Sequence, residues 1–264
     1  MSRYFIYLFR IGCKTMLSDK LKIRISPFVG RVIENDAQAF GFVKADDTSN
    51  KNALLNKLIP QMLRLRLAKK EEAGKLLGEY VPTENFSRVF YVLGNVKDED
   101  EDLSVLTDEV WIRPSKETMV DFDEIGEELG ALSSDVTSFV RSLLNEYSQM
   151  PQYKRQSVVF REEKERIRSA VESGSLLSFR YDGEYSKVFA YNYMYAYLLD
   201  QNNYLIGYDV NRGLIRSYAL CKIDEPRVFQ KKYEPTSRLL DELAKFQDSY
   251  EYGEDKAVSF KEVQ

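Results

Sequence analysis

The sequence predicts an α+β protein in which a small curled β-sheet follows a mainly helical region. Residues 176–223 contain four short segments rich in aromatic and β-branched side chains, separated by polar turns at roughly ten-residue spacing. Residues 20–150 contain two segments in which a short strand precedes two amphipathic helices. Strands as short as the first four must curl into a barrel or a sandwich to cover their edges.

Composition argues against several kinds of site. The 264 residues include no histidine, so the commonest general base, zinc ligand and near-neutral pH switch is missing. The two cysteines, Cys13 and Cys221, form no CxxC pair and are typical of a reducing cytosol. The sequence has no glycine-rich loop of Walker or Rossmann type. We therefore expect a cytoplasmic protein that is not an enzyme and has no catalytic residues, no metal site and no cofactor.

The first 19 residues are predicted to be an N-terminal extension. Their apolar run is interrupted by Arg3, Arg10 and Lys14. It is shorter than the roughly 20 apolar residues that span a bilayer, and it lacks a small-residue cleavage site. The sequence therefore predicts neither a membrane segment nor a signal peptide here.

Turn and cap residues delimit the elements of the second half. Asp182-Gly183 is typical of a tight hairpin turn, and polar loops are predicted at 200–203 and 209–213. Residues 151–175 predict one charged helix that ends at Gly174. Residues 236–246 predict a further helix.

Three stretches of this half carry a family resemblance. They are Ser178-Phe179-Arg180-Tyr181, Asn203-Tyr204-Leu205 and Arg216-Ser217-Tyr218-Ala219-Leu220-Cys221-Lys222-Ile223. The segment resembles the WYL domain, a small Sm-like or SH3-like β-barrel of bacterial regulators. The resemblance implies a WYL domain over residues 151–228, followed by a C-terminal helix and a partial extension over residues 229–264. It also implies that the barrel senses a nucleic-acid strand or a nucleotide-like ligand.

The last of these stretches predicts the binding surface. Alternation along a strand puts Arg216, Tyr218, Leu220 and Lys222 on one side, with the two cations about 13 Å apart. Such a surface can hold phosphates while a ring stacks on a base. The predicted ligand-binding and nucleic-acid-binding residues of the barrel are Tyr181, Lys187, Tyr204, Arg216, Tyr218 and Lys222. The alternative is that the three tyrosines form the core of the barrel and that the cations are ordinary solvated residues.

The helical region contains two similar segments, residues 20–80 and 109–150. Each begins with a strand that ends in Ile-Arg, at Ile23-Arg24 and at Ile112-Arg113. An amphipathic helix, a polar turn with capping residues and a second apolar helix follow in both. In the first segment the helical spacing points Phe28, Val32, Ile33 and Phe40 to the core, and Pro60 predicts an interruption of the second helix.

Strand, helix, helix is the order of the ribbon-helix-helix fold, and both segments resemble it. The resemblance implies an antiparallel ribbon that enters the DNA major groove, with both strands supplied by one chain. Alternation points Leu21, Ile23, Ile25, Val110 and Ile112 toward the helices. The predicted DNA-binding residues on the ribbon and at the helix N-termini are Lys20, Lys22, Arg24, Ser26, Asn50, Lys51, Trp111 and Arg113. Ser134 is the predicted cap of the last helix. The alternative is a helical domain with two structural strands.

Charge distinguishes the two segments. Basic side chains outnumber acidic ones in residues 1–80, whereas acidic side chains dominate residues 81–150. A basic first part suits a nucleic-acid face, and the acidic stretch 97–108 predicts a solvated linker between the segments. Three arrangements fit this asymmetry: the first segment dominates the contact, two chains pair through their basic halves, or the second segment binds protein.

The sequence thus predicts a nucleic-acid-binding regulatory protein, namely a WYL-domain transcriptional regulator. The alternative is an accessory protein of an RNA-targeting (type VI) CRISPR system, because some proteins that resemble this one bind single-stranded RNA and modulate the effector nuclease. The predicted partners are duplex DNA or single-stranded RNA or DNA, a second copy of the chain and, in the alternative, a CRISPR effector nuclease, with no membrane. A structural interaction protein, the third reading, would have no affinity for nucleic acid.

Overall fold

The computed structural model describes residues 20–78, 105–120, 136–195, 202–249 and 257–260. The protein is of the α+β class, as predicted, and divides into two compact units. The first comprises Met1–Gln38 and Phe42–Gln149, and the second Ala39–Gly41 and Met150–Gln264. Within the described ranges, no helix has the length and apolar character needed to cross a membrane. The predicted N-terminal extension and Ser134 lie outside the described residues.

The first unit contains a two-stranded ribbon and the helices that accompany it. In chain order its elements are β1 (Leu21–Ile25), α1 (Pro27–Ala39), α2 (Lys51–Gly78), β2 (Asp108–Ile112) and α3 (Val136–Ser148), and residues 116–120 are also helical. β1 and β2 pair antiparallel within one chain, with Ile23 opposite Val110. The pairing agrees with the prediction. Residues 97–104 of the predicted linker lie outside the described residues, and its last residue, Asp108, belongs to β2, where it pairs with Ile25.

The ribbon has one buried face and one exposed face. Ile23, Ile25, Val110 and Ile112 are at most 3% exposed, and each removes a branched apolar side chain from water. Burial of such a side chain contributes about 1.5–3 kcal/mol. The alternate side chains are exposed, so the predicted alternation is confirmed for these strands.

α1 begins directly after β1. The Ser26 hydroxyl accepts a hydrogen bond from the Val29 N–H at 3.4 Å, and Pro27 occupies the first helical position, where its missing N–H costs nothing. Val29 and Ile33 begin the buried face of this helix. Phe28 is 44% exposed, so its predicted core position is wrong. The buried positions repeat every four residues from Val29, which turns Phe28 outward.

α2 runs through Pro60 without a break, so the predicted interruption is wrong. A proline leaves the carbonyl of residue i−4, here Asn56, without its helical partner. The Thr118 hydroxyl donates to that carbonyl at 3.2 Å. The Asn56 side chain also accepts from the Ser115 N–H at 2.6 Å and donates to the Arg113 carbonyl at 3.0 Å. The chain leaving β2 thus replaces the hydrogen bond that Pro60 removes.

The second unit contains three helices and a six-stranded sheet in its described residues. The elements are α4 (Gln152–Val159), α5 (Arg161–Ser173), β3 (Ser175–Tyr181), β4 (Glu184–Tyr195), β5 (Asn203–Asp209), β6 (Leu214–Ala219), β7 (Ile223–Lys232), α6 (Ser237–Asp248) and β8 (Ala257–Ser259). The single helix predicted over 151–175 is two helices that meet at Phe160. Gly174 ends α5 in the left-handed conformation, with φ 63°, as predicted.

The sheet is antiparallel, with strand order β7-β3-β4-β5-β6-β8. The Asp182-Gly183 turn joins β3 to β4 with both residues at positive φ, as its sequence predicts. The stretch predicted as one strand up to Ile223 breaks instead into β6 and a 3₁₀ turn, Leu220–Lys222, after which β7 begins. β7 contains Pro226, which it tolerates because it lies at a sheet edge.

The sheet must curl strongly. β6 and β7 lie four strand positions apart, so a flat sheet would separate them by roughly 19 Å. The chain from Ala219 to Ile223 can reach at most about 14 Å. Bulges in β4, between Ala190 and Asn192, and in β7, where its register with β3 shifts, favour this bend. The described strands nevertheless do not close by hydrogen bonding, because β6 and β7 do not pair. The predicted barrel is therefore, over these residues, an open curled sheet.

Both faces of the sheet carry apolar side chains. One face packs against α6 and Phe260, through Phe189, Ile206 and Tyr208 among others. Thr236 caps α6 by accepting the Leu239 N–H at 3.2 Å, so the predicted C-terminal helix is confirmed. The other face lies inside the curl and holds the aromatic cluster described next.

Candidate functional site

Arg216 lies against two tyrosine rings inside the curled sheet. Its guanidinium carbon is 4.8 Å from the centroid of the Tyr181 ring and 5.3 Å from that of Tyr218. The Arg216 Nε is buried, and no described residue forms a hydrogen bond with it. Within the described residues, no carboxylate pairs with this guanidinium. A partly buried cation held by ring faces alone keeps its donors available for an incoming anion.

Tyr181 joins the two sides of the curl. Although β3 and β6 are three positions apart in the sheet, the Tyr181 hydroxyl accepts a hydrogen bond from the Ala219 N–H at 3.1 Å. The rings of Tyr181 and Tyr218 meet edge to face at 5.1 Å, and Phe179 meets Tyr218 at the same distance. This packing fixes the two rings that hold Arg216.

Lys222 reaches the same tyrosine from outside the strand. It ends the 3₁₀ turn after β6, so its predicted position on the strand face, about 13 Å from Arg216, is wrong. Its Nζ lies 5.7 Å from the centroid of the Tyr181 ring and 3.9 Å from an Asp182 carboxylate oxygen. The turn thus brings both predicted cations to one aromatic ring by a different route. We name Tyr181, Arg216, Tyr218 and Lys222 the tyrosine–arginine site.

Tyr218 is fully buried, and its environment opposes ionisation. Burial raises the pKa of its hydroxyl, and the nearby Asp209 carboxylate raises it further, while Arg216 acts in the opposite direction. The hydroxyl donates to Asp209 Oδ2 at 3.5 Å, and Arg212 binds the same oxygen at 3.3 Å. Tyr218 is therefore a neutral ring in a core position. The alternative reading of the tyrosines as core residues is correct for Tyr218, Tyr181 and Tyr204, each at most 3% exposed.

Two of the predicted site residues lie elsewhere. Tyr204 pairs with Ala219 and packs in a cluster with Ala219 and Cys221. It adjoins Leu205, which lies opposite Tyr218, so Tyr204 points to the other face of the sheet. Lys187 lies on β4 opposite Ser178 of β3, and its Nζ is 4.9 Å from the centroid of the Phe229 ring of β7. Neither contributes to the tyrosine–arginine site.

The first residue of β5 belongs to a buried amide network that the sequence analysis missed. Gln156 Oε1 accepts from the Asn203 backbone N–H at 2.6 Å and from Asn203 Nδ2 at 2.8 Å. Asn203 Nδ2 also donates to the Tyr153 carbonyl at 2.8 Å. Gln156 is 0% and Asn203 1% exposed, so these bonds fasten α4 to the start of β5. No local signal in the sequence marks the two amides, because Gln156 follows Lys154-Arg155 and Asn203 follows Gln201-Asn202 in polar stretches.

The exposed face of the ribbon carries most of the other predicted residues. Lys20, Lys22, Arg24, Trp111 and Arg113 are all exposed. Lys20 Nζ lies 4.0 Å and Lys22 Nζ 5.3 Å from the centroid of the Trp111 ring. Lys22 also pairs with Glu109 at 2.6 Å. We name this surface the ribbon face.

Three predicted contacts have structural roles instead. Ser26 and Asn50 cap helices, and Asn50 Oδ1 accepts the Ala53 N–H at 3.1 Å. Lys51 pairs with Glu34 at 2.7 Å. Hydrogen bonds from Lys51 and from the Ser49 hydroxyl hold the pKa of Glu34 below its ordinary value. The capping predicted for Asn50 is confirmed, but its cap and the Lys51 ion pair already occupy the groups that were expected to contact phosphate.

Two basic side chains of α2 also form ion pairs. Arg66 and Lys69 bind the Glu146 carboxylate of α3 at 2.9 and 2.6 Å. Burial would raise the pKa of Glu146, but the hydrogen bonds from Lys69 and Arg66 outweigh it, and the pKa lies below its ordinary value. These cations hold α2 against α3. Arg141 of α3 similarly donates to the Arg24 carbonyl at 2.7 Å and so supports β1 from its buried side.

Among solved structures, the fold is similar to that of a CRISPR Cas-related protein. The TM-score is 0.63 at 10% sequence identity, over 91% of this chain and 73% of that one. At this identity the likeness is one of fold. No family model and no curated protein matches the sequence.

Proposed function

We propose that this protein is an accessory component of a CRISPR system and that it binds single-stranded nucleic acid at the tyrosine–arginine site. The observation that carries the proposal is Arg216: among the described residues its buried Nε has no hydrogen-bond partner, and its guanidinium contacts two tyrosine rings and no carboxylate. The similarity of fold to a CRISPR Cas-related protein supports the cellular context. The resemblance to WYL domains supports the choice of ligand.

The chemistry of the site suits a phosphodiester strand. A guanidinium stacked on a ring keeps its N–H groups directed outward and can bind a phosphate with two parallel hydrogen bonds. Lys222 adds a second, more exposed charge beside the same ring. An ammonium on a flexible four-carbon stem beside a planar guanidinium can contact a second phosphate of the same backbone. Strand binding, with no covalent step, agrees with the absence of histidine from the chain.

Replacing Arg216 by alanine is expected to weaken the binding of a labelled 20-nucleotide oligouridylate about 10- to 100-fold, because a charged hydrogen bond is lost. Fluorescence anisotropy at two salt concentrations measures the effect. Removing Lys222 as well should abolish binding. Arg227→Ala is the matched control, because that arginine is exposed on β7 and pairs with Glu225 at 3.4 Å. Equal affinities for Arg216→Ala and the wild type, with both proteins folded by circular dichroism, contradict the proposal.

A transcriptional regulator is the second candidate, and the ribbon favours it. An antiparallel ribbon with exposed arginines at 24 and 113 has the form that reads a DNA major groove. The ribbon-helix-helix resemblance belongs to this candidate. Because one chain supplies both strands, the ribbon needs no second copy to form.

Duplex binding by the ribbon has its own expected result. Arg24→Ala should weaken the binding of duplex DNA and reduce the slope of log affinity against log salt by about 0.9, the share of one phosphate contact. Arg31→Ala, which removes an exposed arginine of α1, controls for net charge. If the slope of log affinity against log salt is the same in the wild type and in Arg24→Ala, a regulator that binds duplex DNA through Arg24 is excluded.

A further inference from the structure

Trp111 is a large aromatic side chain that the fold does not use in its core. It is 42% exposed at the middle of the ribbon face, whereas its neighbours Val110 and Ile112 are at most 3% exposed. An exposed aromatic ring between cations is the kind of group on which single-stranded nucleic acids stack their bases. We propose that Trp111 is a stacking platform for an unpaired base, so that the ribbon face binds a single strand. The inference rests on the proposed function, because it takes single-stranded nucleic acid as the ligand of this protein.

The surroundings of the indole have the charge that a strand requires. Lys20 lies over its ring, and Lys22 is directly opposite Trp111 in the strand register. Within the described residues Lys20 forms no ion pair, while Lys22 shares its charge with Glu109. Arg24 and Arg113 extend the positive surface along the ribbon on both sides. A ring flanked by cations binds bases by stacking and their phosphates by charge.

The platform is held rigidly. The backbone N–H of Arg113, two residues after Trp111, donates to Asn52 Oδ1 at 2.7 Å, and its carbonyl accepts from Asn56. The flanking strand residues Val110 and Ile112 are buried. Because the backbone that carries the indole is already ordered, stacking of a base orders little further structure, and the contact retains more of its intrinsic affinity.

The geometry favours a single strand over a duplex. In a duplex, the faces of the bases stack on one another, and a ribbon in the major groove meets only their edges. Base edges are recognised by amide, guanidinium and hydroxyl groups. An indole has none of these groups and offers only a single N–H donor. An unpaired base presents its whole face, and every base has one. The side chain at the centre of the ribbon thus matches a base face and not a base edge.

The test uses the fluorescence of Trp111, which is the only tryptophan in the chain. The full-length protein is titrated with 12-nucleotide oligouridylate, with 12-nucleotide oligothymidylate and with a 12-base-pair DNA duplex. We expect the single strands to quench Trp111 at the concentrations at which they bind. Trp111→Ala should weaken single-strand binding, measured by anisotropy, about 5- to 100-fold, and Trp111→Phe should retain most of the affinity. Tyr185→Ala, which removes an aromatic side chain that is 71% exposed, should change nothing.

Two results overturn the inference. One is quenching by the duplex alone, and the other is unchanged single-strand affinity in Trp111→Ala. Arg216→Ala with Lys222→Ala separates this inference from the proposed function. If the double variant Arg216→Ala/Lys222→Ala binds single strands normally while Trp111→Ala does not, the strand binds at the ribbon face. The tyrosine–arginine site is then refuted. If the double variant loses binding while Trp111→Ala keeps it, the stacking platform is refuted and the proposed function stands.

Discussion

Replacing Tyr218 by alanine is expected to lower the free energy of unfolding of the protein by about 3–5 kcal/mol, as truncation of a buried aromatic side chain does. Tyr218 is 0% exposed and packs edge to face on both Phe179 and Tyr181. Its removal leaves a cavity where β3 and β6 meet inside the curl, and it takes away one of the two rings that hold Arg216. Urea unfolding followed by circular dichroism measures the loss.

Tyr218→Phe separates the ring from the hydroxyl. The hydroxyl bond to Asp209 is long, at 3.5 Å, so its loss is expected to cost less than about 1 kcal/mol. Both stacking contacts of the ring remain, and single-strand binding should be unchanged. If Tyr218→Phe lowered the free energy of unfolding as much as Tyr218→Ala does, the hydroxyl network, and not ring packing, would stabilise the curl. The fluorescence of Trp111 gives a separate record of the first unit in the same experiment.

Replacing Gln156 by methionine is expected to lower the free energy of unfolding by about 2–3 kcal/mol, because buried polar groups lose their partner without a large change in volume. The Asn203 backbone N–H would lose its acceptor, and the Asn203 side chain would keep its bonds to the Tyr153 carbonyl and to the Ser157 hydroxyl. Thermal unfolding detects the change as a lower melting temperature.

Gln152→Met is the matched control. Gln152 lies one turn earlier on α4 and approaches the Asn202 side chain at 3.5 Å, whereas Gln156 donates to the same oxygen at 3.1 Å. Gln152 is only half-buried, so solvent can replace its bond and the expected loss is well below that of Gln156→Met. If Gln156→Met and Gln152→Met lowered the free energy of unfolding equally, the buried network would not be what connects α4 to β5.

Local sequence signals correctly predicted the elements whose conformation depends on neighbouring residues. The alternation in Leu21–Ile25 and Asp108–Ile112 identified the buried face of the ribbon, since successive side chains of any strand alternate between its faces. Asp182-Gly183 identified its hairpin, and Gly174 the end of α5, because few residues adopt positive φ at low cost. Asn50 identified a helix start through its short polar side chain.

Signals of the same kind failed where a distant part of the chain supplied a partner. Pro60 should end a helix, yet Thr118 satisfies the carbonyl that it leaves open. Phe28 fits a helical period, but the buried face of its helix begins at Val29, and Phe28 is exposed. Tyr204 and Lys187 have suitable side chains for the site, but the sheet directs them elsewhere.

The residue types of the tyrosine–arginine site and of the ribbon face can be read directly from the amino-acid order, because alternation and turn chemistry act over a few residues. Their grouping in space cannot. Arg216 meets Tyr181 only because the sheet curls until β3 and β6 touch, and Lys222 joins them only because β6 ends in a 3₁₀ turn. Both arrangements follow from long-range packing and from the short reach of the chain between β6 and β7, which no local pattern encodes.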